Sequence, residues 1–219
     1  MNTVYIVLRL LAVLCAVCLV SSELYRNRKN LPFIWEIWKR FRPGMFIQVF
    51  VLIIIVLATA VFLSNHVPYL HYGWMHLILK NGGNIVTGPV LSVAHSEYMV
   101  LRILPPVFLF VFLLVIPFLA NGEEKIFRKG YHTRGKMIRQ SIRFGLVHLV
   151  AGIPIAAGIA LIVPGLFFAY KYHDTYTKLM QTTEKKEASH EAVLVSTTYH
   201  TLMNSILVVY LIVLTIIYI

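Results

Sequence analysis

Several apolar runs in this chain are long enough to cross a lipid bilayer, and they constrain the fold more than any other feature. A helix that rises 1.5 Å per residue needs about 20 residues to cross about 30 Å of hydrocarbon. Runs that approach or exceed this length occupy residues 3–20, 46–63, 105–125, 142–170 and 192–219. Hydrophobic residues make up 58% of the 219, and charged residues only 13%, which is about half the share in an average soluble protein. The sequence therefore predicts an all-α, polytopic transmembrane helical bundle that forms one membrane domain over residues 1–219.

The positive charge of the chain is distributed as in a membrane protein. The net charge of +11 would also suit a nucleic-acid-binding protein. However, most Lys and Arg residues flank apolar runs, as orientation determinants and headgroup contacts do. We therefore predict a lipid bilayer, and no nucleic acid, as the partner. The two basic segments, both predicted to be cytoplasmic, contain Arg26, Arg28, Lys29, Lys39, Arg40 and Arg42, and Lys125, Arg128, Lys129, Arg134, Lys136, Arg139 and Arg143.

The first part of the chain, residues 1–97, is predicted to hold N-terminal helices, an interfacial segment and a loop. Residues 3–20 have the length of a signal peptide or of a first transmembrane helix. The run lacks a basic start and contains Arg9, which favours a retained helix. Inside this run Cys15 and Cys18 are expected to behave as small hydrophobic residues.

The remainder of this first part contains an amphipathic stretch, a span and a loop. Residues 46–63 carry no charge and predict the second span, whereas residues 64–97 are polar and glycine-rich in part and predict a loop or a surface-lying piece. The stretch before the second span predicts an interfacial amphipathic helix, because Phe33, Ile34, Ile37 and Trp38 recur at helical spacing against Glu36, Lys39 and Arg40.

The second part, residues 98–219, contains the remaining apolar runs. A third span is predicted to begin near "LRILPPVFLF", residues 101–110, and to end near residue 125. Proline is tolerated in a first helical turn, so Pro105 and Pro106 are predicted to mark the start of the straight part of this helix. Glycine and proline interrupt the run over 142–170, which predicts either one kinked span or two tight spans. Residues 171–191 carry both charge signs and predict a solvated connection before a last helix over 192–219.

Polar side chains in or beside these spans are candidates for function, because an ionisable group in hydrocarbon is costly. Each group also has a structural explanation. Glu124 and Arg128 are four residues apart and can form a salt bridge. His148 can form a hydrogen bond across a helix interface, and so can His200 and Asn204, which share a helical face. Together with Glu123 they supply a complete set for hydrolysis, since a carboxylate and an imidazole can activate water while His and Asn donors stabilise an oxyanion.

A metal ion is the alternative chemistry for the same groups. One Glu and two His residues can bind zinc with a water in the fourth position. The sequence contains no H-E-x-x-H helix, so nothing in the spacing favours zinc specifically. We therefore expect no cofactor.

The motifs "EEKIFR", "FGLVH" and "HTLMN" occur in that order between Glu123 and Asn204. They resemble the EExxxR, FxxxH and HxxxN motifs of the CPBP family of intramembrane glutamic proteases, which includes the type II CAAX prenyl endopeptidases. The resemblance implies an active site in an intramembrane cavity, where Glu123 and His148 activate water while His200 and Asn204 bind the oxyanion. It also implies that Glu124 and Arg128 support the site and that Phe144 packs beside His148. The chain departs from many bacterial members in reading "FRKG" where they read "FRG".

The leading interpretation is therefore an intramembrane, metal-independent endopeptidase. Its substrate would be a membrane-associated peptide or protein, with or without a prenyl group. The resemblance places it in the bacterial cytoplasmic membrane, with the site open to the cytoplasmic side. Because the family also includes members linked to bacteriocin immunity, a non-catalytic scaffold or immunity protein of the same fold is the alternative. A transporter or proton relay is disfavoured, because no inverted repeat is visible.

Overall fold

The computed structural model describes residues 3–79, 83–94, 99–131 and 133–217, and it is an all-α bundle in which none of these residues lies in a strand. The predicted fold class is thus confirmed. Three short 3-10 turns also occur between helices, at Arg28–Asn30, Trp74–Leu77 and His148–Ala151. The helices are α1 (Thr3–Arg26), α2 (Pro32–Lys39), α3 (Pro43–His66), α4 (Gly88–Leu91), α5 (Met99–Phe127), α6 (Arg134–Val147), α7 (Ile155–Ala160), α8 (Ile162–Leu179) and α9 (Lys185–Ile217).

Four helical segments of the described chain are long and apolar enough to cross a membrane. They are Pro43–His66, Leu101–Phe127, Ile155–Leu179 and Lys185–Ile217, and the third joins α7 to α8 through Leu161. This indicates a lipid bilayer as the environment of the bundle. The first span predicted over residues 3–20 remains a prediction, because several side chains in its first turns lie outside the described part.

The centre of the bundle is the long interface between α5 and α9, with α8 packed against α9 and α6 packed against α8. Helix α2 is amphipathic as predicted, since Phe33 and Ile37 are buried while Glu36 and Lys39 are exposed. The ring of Phe33 stacks on Phe118 of α5 at 5.6 Å between centroids. Thus α2 packs directly on the bundle.

A salt bridge ties the end of α2 to α9. Arg40 Nη1 donates a hydrogen bond to Glu191 Oε1 at 2.5 Å. This bond raises the pKa of Arg40. The first basic segment and the start of α9 therefore lie at the same end of the bundle.

Helix α5 begins earlier than the sequence indicated. It starts at Met99, so Pro105 and Pro106 lie inside the helix together with Pro117. The prediction that these prolines lie in the first turn of the helix is therefore wrong, whereas the candidate span Leu101–Phe127 begins where the third span was predicted. The physical reason is packing: Pro105 and Pro117 are buried in the bundle, and membrane helices tolerate internal proline where neighbouring groups satisfy the backbone. The end of the helix, at Phe127, is close to the predicted one.

The apolar run over residues 142–170 is neither one kinked span nor two tight spans. Residues 142–147 belong to α6, which starts in the basic segment at Arg134 and is not among the four span candidates. The chain then turns at Gly152, whose φ of +87° lies in the left-handed region that glycine adopts readily. One candidate span begins after this turn, at Ile155, and returns along α6.

The predicted solvated connection over residues 171–191 is also wrong for most of its length. Helix α8 continues to Leu179 and α9 begins at Lys185, so only residues 180–184 connect them. Tyr172 and Tyr176 are buried and pack against the first turns of α9. Their four-residue spacing gives this polar stretch one apolar face, which the charge pattern concealed.

The loop predicted over residues 64–97 is largely irregular, with the 3-10 turn and α4 inside it; residues 80–82 and 95–98 lie outside the described part. The middle of this loop packs against the chain turn at Gly152. The amide nitrogen of Ile155 donates to the carbonyl of Tyr72 at 3.0 Å. A Cβ on Gly73 would lie 2.4 Å from the Gly152 carbonyl oxygen, so the backbones touch. The loop thus holds this turn in place.

Candidate functional site

The predicted polar residues lie in or directly after three helices, α5, α6 and α9, and they meet inside the bundle. The last turn of α5 carries Glu123 and Glu124, and Arg128 follows directly after it. His148 begins the turn that follows α6, and His200 lies near the middle of α9. The structure brings these side chains together around two distinct carboxylates.

The carboxylate of Glu124 is fully buried and fully engaged. Arg128 Nε donates to its Oε2 at 3.2 Å, and Arg128 is itself 1% exposed. The hydroxyl of Ser196 donates to the same Oε2, and His200 Nδ1 lies 3.0 Å from Oε1. A buried charge is tolerated only with partners of this kind. Glu124 therefore links α5 to α9 as a structural ion.

Aromatic rings fix the orientation of both imidazoles. Phe144 of α6 is buried, and its ring meets those of His148 and His200 edge to face at 4.8 Å and 5.5 Å between centroids. The guanidinium carbon of Arg128 lies 4.9 Å from the same ring centroid, a favourable cation–π contact. Phe168 of α8 stacks on His200 at 4.7 Å between centroids.

The neighbouring carboxylate, Glu123, has a different environment. Its Oε2 lies 3.7 Å from His148 Nε2 and 3.9 Å from His200 Nε2. Both distances are too long for direct hydrogen bonds. The oxygen is buried, yet it accepts no hydrogen bond from any described residue. The side chain as a whole is 35% exposed, against 0% for Glu124, so Glu123 can be reached from outside the bundle.

The hydrogen bonds of the two imidazoles define what they present to Glu123. His148 Nδ1 lies 2.6 Å from the carbonyl oxygen of Phe144, and His200 Nδ1 faces a carboxylate oxygen. Both neighbours are acceptors, so we assign the proton of each neutral ring to Nδ1. Both Nε2 lone pairs then face Glu123 Oε2. This convergence of three acceptors suits a water molecule, which has two protons to donate.

Asn204 is the predicted residue that the structure does not join to the cluster by a contact. It is half-buried and lies one turn after His200 on the same side of α9, but its amide forms no hydrogen bond with another described residue. Its predicted role as an oxyanion donor remains a prediction.

Two residues of the site were missed by the sequence reasoning. Ser196 precedes His200 by four residues, as His200 precedes Asn204, so the same spacing that singled out the last two could have found it. Phe168 gave no such signal, because a phenylalanine in an apolar helix indicates only burial.

The Glu and His groups are of the type that binds zinc. Within the described residues, however, no group of three His, Cys, Asp or Glu side chains is arranged to hold a metal ion.

Comparison of the chain with protein-family models, with curated proteins and with solved structures finds no match. Function is therefore inferred from the residues and their geometry.

Proposed function

We propose that this chain is an intramembrane endopeptidase that hydrolyses a peptide bond with a water activated by Glu123 and His148. The observation that carries the proposal is the position of Glu123 Oε2, which is buried, unpartnered and faced by two imidazole Nε2 atoms at 3.7 Å and 3.9 Å. A water between these atoms would donate its protons to a carboxylate and an imidazole. That is the arrangement a general base needs.

In this reaction the water oxygen forms a bond to the peptide carbonyl carbon while one of its protons passes to Glu123 Oε2. The carbonyl π electrons move to oxygen and give a tetrahedral oxyanion. When the carbon–nitrogen bond breaks, the leaving nitrogen takes this proton from Glu123, directly or by way of His148 Nε2. The products are a carboxylic acid and an amine, and both side chains return to their starting protonation states.

The oxyanion would be stabilised from α9, by His200 and Asn204. His200 holds its Nδ1 proton against Glu124, so its Nε2 would donate only with a second proton. That proton would be the one that Glu123 Oε2, 3.9 Å away, takes from water, and it would return to Glu123 before the leaving nitrogen takes it. The Asn204 amide, one turn further along the helix, has N–H groups to spare for the same oxygen.

The position of the site supports a membrane-associated substrate, with or without a prenyl group. Glu123 lies at the end of a candidate span and is partly exposed, which suits a peptide bond close to the bilayer surface. The site also lies toward the basic end of the bundle, next to Lys125. If that end is cytoplasmic, a bacterial cytoplasmic membrane protein would open its site to the cytoplasm.

The order of the EEKIFR, FGLVH and HTLMN motifs also supports this reading, because it resembles the metal-independent glutamic proteases of the CPBP family. The alternative, a scaffold or immunity protein of the same fold, would need the cluster only for binding. It predicts that the carboxylate of Glu123 can be replaced without loss of effect.

The proposal is tested by comparing membrane-protein termini in cells that express the wild type, Glu123→Gln or Glu184→Gln. Glu184 is an exposed glutamate in the connection before α9 and serves as the matched control. We expect new termini in the wild type and the control that are absent with Glu123→Gln. If Glu123→Gln gave the wild-type profile of new termini, or if no variant produced any, the scaffold interpretation would replace the protease.

A further inference from the structure

A cavity of about 180 Å³ lies at the basic end of the bundle, between the end of α5 and the start of α9. No step of the proposed hydrolysis uses it. Most of its lining surface is formed by carbon atoms, including the stems of three lysines, and the lining residues are Lys125, Lys129, Lys186, Ser189, His190 and Val193.

The lysines of this cavity have no salt-bridge partner within the described part of the chain. Lys125, Lys129 and Lys186 form no salt bridge with any described residue. Five acids lie nearby in sequence. Glu124 pairs with Arg128 and Glu191 pairs with Arg40, and Glu123, Glu184 and Glu187 form no salt bridge with these lysines. Three lysines that line one concave site attract an anion.

The position of the cavity along α5, relative to the membrane, indicates the source of that anion. The helical rise from Arg102 to Lys125 is about 35 Å, slightly more than the roughly 30 Å of a hydrocarbon core. Lys125 therefore lies at the level of the lipid headgroups when α5 spans the bilayer. Ile126, next to it, is 65% exposed, which gives an acyl chain an apolar surface beside the cavity.

We propose that this cavity binds the phosphate of an anionic phospholipid headgroup. Lysines on α5 and α9 would contact the phosphate as point charges, and the cavity volume is sufficient for a phosphodiester. The acyl chains would leave the cavity along the exposed side of α5. This binding site does not depend on the proposed peptidase activity.

Such a lipid would connect the same two helices that hold the buried carboxylate. Lys125 directly follows Glu124, and Val193 lies about one turn before Ser196, which donates to Glu124. A phosphate held by α5 and α9 together would therefore strengthen the α5–α9 contact at the site.

The test compares lipid selectivity of the purified full chain in nanodiscs that contain phosphatidylcholine with and without phosphatidylglycerol. The cavity variant carries Lys125→Gln, Lys129→Gln and Lys186→Gln. The matched control carries Arg134→Gln, Lys136→Gln and Arg139→Gln, which removes three charges from the exposed start of α6. Bound lipids are quantified by native mass spectrometry.

We expect the wild type and the control to enrich phosphatidylglycerol, and the cavity variant to lose this preference by at least about tenfold, given about 1 kcal/mol per lysine. Lys186→Gln alone, on the exposed first turn of α9, should lose about fivefold and serves if the triple variant does not fold. An equal loss in the control would show a general charge effect and overturn the proposal. Inorganic phosphate could also abolish the enrichment of phosphatidylglycerol and, in neutral detergent, stabilise the protein as much as that lipid does. This result would assign the site to free phosphate instead.

Discussion

The Nδ1 atom of His200 lies 3.0 Å from Oε1 of Glu124, a carboxylate with no exposed surface. The other nitrogen of the same ring faces Glu123 at 3.9 Å. One imidazole thus joins two consecutive carboxylates that have opposite environments. Glu124 is fully hydrogen-bonded inside the bundle, whereas Glu123 has an oxygen without a partner. We infer that the first stabilises the fold and the second is available for chemistry.

Replacing the two glutamates separately should therefore give opposite results. Glu124→Gln leaves the Arg128 guanidinium buried without a counter-charge, and should lower the free energy of unfolding by about 3–5 kcal/mol. Glu123→Gln removes no hydrogen bond between described residues and should change it by less than about 1 kcal/mol. Unfolding in mixed micelles, followed by circular dichroism, measures both. Equal destabilisation by the two substitutions would contradict this division.

Two buried serines of α9 provide a second matched comparison. The Ser196 hydroxyl donates to Glu124, whereas the Ser205 hydroxyl has no partner among the described residues. Ser196→Ala should cost about 1–3 kcal/mol, because it removes a donor to a buried charge. Ser205→Ala should be neutral or slightly stabilising, since it removes an unsatisfied polar group. The same unfolding measurement distinguishes them, and a larger loss from Ser205→Ala would refute the assignment.

The close approach of α6 to the returning α7–α8 segment should control the position of His148. A Cβ on Gly145 would lie 2.5 Å from the Gly158 carbonyl oxygen, whereas a Cβ on Gly135 would meet nothing within 4 Å. Gly145→Ala should therefore destabilise the protein by about 1–3 kcal/mol and reduce the appearance of new termini by displacing His148. Gly135→Ala, on the same helix, should retain activity and gain stability from its higher helix propensity. Full activity of Gly145→Ala would show that the contact is not needed.

The proposed metal-independent mechanism leads to a prediction on chelation. Peptide hydrolysis in membranes that contain the purified chain should continue in the presence of a strong zinc chelator, because in the proposed mechanism Glu123 and His148 activate the water without a metal. Activity is read from the rate at which new termini form. Loss of activity on chelation, with recovery after added zinc, would replace the glutamate mechanism by the metal alternative.

The class of fold could be predicted because long apolar runs have few other solutions. The positions of helix ends could not be predicted equally well. Pro105 suggested a helix start, yet packing keeps the proline inside α5, and the charges around Tyr172 and Tyr176 concealed a buried face. In each case a tertiary contact decided the boundary, and such contacts are not visible in local sequence.

The contacts of the site show the same difference: those set by helical spacing could be predicted, and those set by tertiary packing could not. The four-residue spacing of Glu124 and Arg128 predicted the ion pair that is present, because it depends only on helical geometry. The nearness of His148 to Glu123 depends on the turn at Gly152 and on the loop that packs against it, which no local pattern specifies. Phe168 reaches His200 through the α8–α9 packing alone.

The most direct test of the central claim uses membranes containing the purified wild type or Glu123→Gln, incubated in water enriched in oxygen-18. New carboxyl termini are then identified by mass spectrometry. We predict new termini that carry oxygen-18 in the wild type and none above background with Glu123→Gln. New termini of equal abundance in both samples, or no labelled termini in either, would contradict the account.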